Sequence, residues 1–111
     1  MNQIERIREI LATYVKHGWR LGRVLVRTET RAELTEAASG LFEDAEVREA
    51  PFNALWFVRR SDTGREAWEL RLLAETPYAL FETFEADEVE EDREDVRREI
   101  ETRMGEYATR C

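Results

Sequence analysis

The sequence predicts an α+β fold: a two-layer domain over 1-111 with a mainly antiparallel sheet of four to five strands and three helices, in the order α-β-α-β-β-β-β-α. Three observations carry this expectation. Two alternating apolar and polar segments flank the turn Ser61-Asp62-Thr63-Gly64, as in a hairpin. Stretches near both ends of the chain repeat apolar residues at helical spacing, and Pro51 and Pro77 separate further short apolar runs.

The first helix is expected from Ile4, Ile7, Leu11, Tyr14 and Val15, with Asn2 and Glu5 as a capping box and an end near Lys16, before Gly18. Arg23 to Thr28 carries Val24, Leu25 and Val26, a β-branched run with apolar side chains on both sides, which reads as a strand covered on two faces. Thr30 and Glu33 make a second capping box before the stripe Leu34, Ala37, Ala38, Leu41 and Phe42, the second helix. Glu46 to Ala50 is a short strand ended by Pro51. The segment before it is long enough for a β-α-β crossover.

Asn53 to Arg60 and Arg65 to Ala74 form the hairpin arms, and Tyr78 to Glu85 adds a last strand to the meander. In the third helix, capped by Asp87 with Glu90, Val89, Val96, Ile100, Met104 and Tyr107 make a narrow apolar seam ending near Tyr107. Its acidic first turn and later arginines, Arg97, Arg98, Arg103 and Arg110, match the helix dipole, with Glu94–Arg98 and Glu99–Arg103 as i,i+4 pairs. The expected core is Ile7, Leu11, Val24, Val26, Leu34, Ala38, Leu41, Trp56, Val58, Trp68, Leu70, Leu72, Phe81, Val96 and Ile100. The turn at Thr76-Pro77 leaves two registers open for the last strand, one with Phe81 inward and one with Leu80 and Phe84 inward.

The formal net charge of -8 lies in one segment. From Glu82 to Asp95 there are nine acids against Arg93 alone, while acids and bases balance in the remainder. This disfavours duplex DNA as a partner, and a single strand stacked on Phe57 beside Arg59 meets the same repulsion, so no nucleic acid is expected. No run approaches the length of a spanning helix and the start of the chain has no apolar leader, so no membrane contact and a cytoplasmic location are expected. Cys111, the only cysteine, forms no disulfide within one chain.

Ordinary catalytic sets are missing. General acid-base or nucleophilic chemistry usually places a histidine beside a nucleophile, whereas His17 is alone at a helix end where its cation suits the dipole. Ser39 and Ser61 lie in no nucleophile elbow, and the five glycines are not in series as a phosphate loop requires. Glu88, Asp92, Asp95 and Glu99 share a helical face, but their spacing is that of a solvated helix start rather than an EF-hand or a di-metal bundle. No catalytic residue, cofactor or metal is expected.

The hairpin register supplies the one functional expectation. Pairing Arg60 with Glu66 sets Val58, Trp56 and Ala54 opposite Trp68, Leu70 and Leu72 on a core face. The other face then carries Leu55, Phe57 and Arg59 with Ala67, Glu69 and Arg71, large apolar residues among charges. Either the first helix covers that face or another molecule does. The leading expectation is a non-catalytic interaction module, homodimeric or bound to a protein with a basic or apolar surface. Its contact residues would be Leu55, Phe57, Arg59 and Arg71 on the sheet and Glu88, Glu91, Asp92 and Asp95 at the acidic helix start. The alternative is a small-ligand-binding protein or an enzyme using carboxylates and arginines, which requires a pocket holding a perturbed carboxylate.

Overall fold

The computed structural model describes residues 3–37, 40–42 and 45–109. Its elements are helix α1 (Gln3–Lys16), strand β1 (Arg20–Val26), helix α2 (Thr28–Ala37), strands β2 (Glu46–Glu49), β3 (Ala54–Arg60), β4 (Glu66–Leu72) and β5 (Ala79–Phe84), and helix α3 (Glu90–Ala108). The α+β class and element order match the expectation. The strands form one sheet in the order β2-β1-β3-β4-β5. Because α2 crosses between β1 and β2, that pair is parallel, and the sheet is mixed.

The β3–β4 hairpin has the register inferred from its turn, from Ala54 opposite Leu72 to Arg60 opposite Glu66. Gly64 closes the turn at φ 88°, a conformation that costs a side-chain-bearing residue about 1–2 kcal/mol. Gly18, at φ 86°, ends α1 as expected: its N–H donates to the Val15 carbonyl and the Trp19 N–H reaches back to that of Tyr14, a Schellman closure.

Strand alternation divides the core in two. On one face Ile7 and Ile10 of α1 pack on Val24, Val26, Leu55 and Phe57. On the other, Ile100 and Met104 of α3 pack on Leu25, Ala54, Trp56, Leu70 and Leu72. Helices therefore lie on both sides of the sheet, three layers rather than the two expected. The reason is visible in β3, where Ala54 to Val58 are all buried and neither face can be left to water.

Other details differ from the sequence reading. β1 begins at Arg20, three residues early, because the ladder with β3 continues through a bulge between Leu21 and Arg23. Gly22 sits in that bulge, where a Cβ would approach the Trp68 ring to 3.2 Å. Thr30 is inside α2, which starts at Thr28, and its hydroxyl accepts from Asn53 Nδ2 instead of capping. The N-cap of α3 is Val89, with no side-chain hydrogen bond, so Asp87 and Glu90 form no capping box. Asn2, Ala38, Arg110 and Cys111 lie outside the described residues.

The last strand takes the register with Phe84 inward. Phe84 is buried, Leu80 is half-buried, and Phe81, expected in the core, is 56% exposed. The pairs Glu69 with Phe81 and Leu70 with Leu80 put Phe81 on the α1 side of the sheet and Leu80 and Phe84 on the α3 side.

Candidate functional site

The densest polar chemistry lies between α3 and the sheet. Arg93, Arg97, Ile100 and Met104 are the buried residues of α3, so two arginines occupy positions that the helical period assigns to the core. Arg97, 1% exposed, lies 4.4 Å from the Trp68 ring centroid and donates through Nε to Glu94 at 3.0 Å. Its Nη2 donates to Glu90. From β1, Arg23 donates to the same Glu94 oxygen at 2.6 Å. Burial alone would raise the Glu94 carboxyl, but the hydrogen bonds and charges of Arg23 and Arg97 prevail and hold it at about 2.

A second knot lies beside the first. Glu66 of β4 is buried and accepts from Arg93 Nη1 at 3.0 Å, Arg60 Nη2 at 2.5 Å and Trp68 Nε1 at 3.0 Å. Burial opposes its ionisation, yet the Trp68 and Arg60 hydrogen bonds and the arginine charges leave its carboxyl below the ordinary value. Trp56 Nε1 donates to Glu101 at 2.8 Å. Arginine holds the Glu94 and Glu66 carboxylates as anions, whereas a general base works best near neutrality. The cluster has the composition of the enzymatic alternative but the electrostatics of a clamp between helix and sheet.

The α1 side is different. Tyr14 stacks on Phe57 at 3.8 Å between centroids and donates its hydroxyl proton to Glu69. Burial first, and then the Glu69 hydrogen bond against an opposing one from Arg71, raises the Tyr14 phenol to about 12. Trp19 stands edge-on to Tyr14 at 6.1 Å and to Phe81 at 6.3 Å, with the Arg59 guanidinium 4.9 Å from its ring centroid. Tyr14 and Trp19 thus mark the border of the covered area. Beyond them, Ala67 and Thr83 are half-buried and Ala79 and Phe81 exposed, and a groove of about 320 Å³ runs between Phe81, Thr83 and Ala67 and the arginines Arg59, Arg60 and Arg65.

The residues expected to meet a partner are consequently split. Leu55 and Phe57 are 0% exposed, because α1 covers β1 and β3, and on this part of the face the chain's own helix is the occupant. Arg59 is exposed and Arg71 half-buried at the edge of the open part. Glu88, Glu91, Asp92 and Asp95 are exposed at the start of α3, across the sheet from Arg59 and Arg71. Glu88 accepts from the Glu85 N–H, and none of the four forms an ion pair among the described residues. The structure does not bring the two groups onto one surface.

Sequence reasoning places Phe81 in the core while keeping its outward register open, assigns no role to Trp19, and misses Arg93 and Arg97 as buried arginines. The spacing Arg93, Arg97, Ile100, Met104, at intervals of four, three and four, was the available signal for the two arginines. Among the described residues no three acidic, histidine or cysteine side chains are grouped as metal ligands, and no helix is long and apolar enough to cross a membrane. No family model, curated protein or solved structure matches the chain.

Proposed function

We propose that this chain is a non-catalytic, cytoplasmic protein-interaction module that forms a homodimer through the open β4–β5 half of its α1-side face. One observation carries the reading: α1 and the Trp19 that follows it cover that face only as far as Tyr14 and Trp19, leaving Phe81 56% exposed on the edge strand β5. A large aromatic ringed by Arg59, Glu69 and Arg71 has the anatomy of an interface, an apolar centre inside a polar rim. The expected contact therefore moves outward, with Phe81 in place of Phe57 as its anchor and Arg59 and Arg71 at its margin. The exposed acids Glu88, Glu91, Asp92 and Asp95, which form no ion pair among the described residues, are a second surface, suited to a basic partner that is steered by charge.

The test is solution mass by light scattering over a concentration series, for the native chain and for Phe81→Glu. The reading predicts a native dimer and a folded monomeric variant, with tryptophan fluorescence reporting the fold. A native monomer at every concentration, or an unchanged dimer in the variant, rejects it.

A further inference from the structure

The hydrogen-bonding phase of β5 can be read from the ends of the sheet ladder. Leu73 N–H donates to the Asn53 carbonyl on the β3 side, and Leu72 N–H donates to the Tyr78 carbonyl on the β5 side. In an antiparallel pair, residues alternate between those that exchange both bonds with the partner strand and those that point away. With Leu72 opposite Tyr78, the residues bonded to β4 are Tyr78, Leu80, Glu82 and Phe84. Ala79, Phe81 and Thr83 therefore direct their N–H and C=O groups to the open edge. The Thr83 N–H confirms this phase, since its acceptor is the Glu82 side chain at 3.0 Å rather than a β4 carbonyl.

The two edges of the sheet are unlike. β2 has four residues, three of them charged (Glu46, Arg48 and Glu49), and is blunted as solvent-facing edges usually are. β5 has six, and its three outward-directed residues are Ala79, Phe81 and Thr83, none charged and none proline. Such an edge is a template for another strand.

We infer that the dimer proposed above forms by antiparallel pairing of β5 with β5 of a second copy about a two-fold axis at Phe81, joining the two sheets into one. Among symmetric registers, the one centred on Phe81 uses every outward group: Phe81 faces its own copy and Ala79 faces Thr83 of the second copy, each pair exchanging two hydrogen bonds. The small side chains of Ala79 and Thr83 flank the two Phe81 rings on the α1-side face, leaving them room to meet. The Thr83 N–H exchanges its Glu82 acceptor for a carbonyl of the second copy.

Two copies each carry a charge of -8, so the arrangement they can adopt is the one that holds their acidic segments apart. Antiparallel pairing sends the acidic segment that follows each β5 to opposite ends of the joined strands. Glu85 and its counterpart are then eight residues apart, about 27 Å at about 3.4 Å per residue, beyond the screening length of about 8 Å in physiological salt. Parallel pairing, or stacking through the starts of α3, would set the two acidic segments against each other.

The inference rests on the homodimer reading, and the experiment separates the two. Ala79→Cys and Thr83→Cys chains are prepared separately in a Cys111→Ser background, mixed, and oxidised mildly, with mass measured by light scattering under reducing conditions. Opposite positions in the predicted register have Cα atoms about 5.5 Å apart, within disulfide reach, whereas a position and its own copy, about four residues along the strands, are about 15 Å apart. The expected result is a dimer that cross-links in the mixture and in neither chain alone. A dimer that cross-links in one chain alone, or in no combination, overturns the pairing while leaving the homodimer intact; a monomer overturns both. Thr83→Pro gives an independent check, because it removes an edge donor and none of the bonds to β4. It should leave the fold unchanged and weaken association roughly tenfold or more, two intermolecular hydrogen bonds being lost at once. Unchanged association in that variant rejects the pairing.

Discussion

Glu94→Gln tests the α3 clamp. Glu94 accepts from Arg23 at 2.6 Å and Arg97 at 3.0 Å, and lies 3.5 Å from Arg48. Its carboxyl falls from an ordinary 4.5 to about 2, and at about 1.4 kcal/mol per pH unit that difference corresponds to about 3 kcal/mol. With the side chain 18% exposed, solvent screening reduces the expected effect to about 2 kcal/mol. The amide retains the size of the side chain but leaves Arg97 buried without a full counter-charge, so loss of stability is the expected sign. Because the folded value is the lower one, the contribution is complete above pH 4.5 and disappears as pH falls towards 2. Urea unfolding followed by tryptophan fluorescence, at pH 7 and at pH 2.5, measures it for both chains. The variant should be about 2 kcal/mol less stable at pH 7, and the gap should narrow to well under half at pH 2.5. An equal gap at both values, or none at pH 7, would refute the assignment of Glu94 as the counter-ion of Arg23 and Arg97.

Phe57→Glu should unfold the chain or cost about 4 kcal/mol or more by chemical denaturation, since it buries a charge where Phe57 stacks on Tyr14; the same substitution at Phe81 should change stability by less than about 1 kcal/mol. Gly64→Ala should cost about 1–2 kcal/mol in the same assay, because the turn needs φ 88° and a Cβ there would lie 3.2 Å from that of Ala86. In a spectrophotometric titration of the tyrosines, one phenol should ionise only near pH 12, and Tyr14→Phe should remove that step; its raised value predicts stability present below pH 10 and lost as pH climbs through 12.

The hairpin was legible because both its determinants are local: a glycine-closed turn fixes the register, and alternation fixes the faces. Helix ends were less so. Thr30 and Asp87 match a capping pattern, but the structure uses Thr30 to hold Asn53 and begins α3 after Val89 without a side-chain cap. The second sheet face illustrates the limit best. Its composition announced a surface needing cover, yet how far across the sheet α1 reaches depends on tertiary placement, which put Leu55 and Phe57 beneath the helix and Phe81 beyond it. The arginines of α3 were hidden for a related reason: a charged side chain at a core position reads as surface until Trp68, Glu94 and Glu66 are seen closing around it.

Amide hydrogen exchange, followed residue by residue in dilute and concentrated solution, tests most directly the claim that the open β4–β5 half of the sheet is where a second copy binds. The account predicts that Ala79, Phe81 and Thr83 gain protection as concentration rises while the β2 edge, Glu46 to Glu49, stays unchanged. Protection that grows on β2 or on α3, or that is independent of concentration throughout β5, would contradict it.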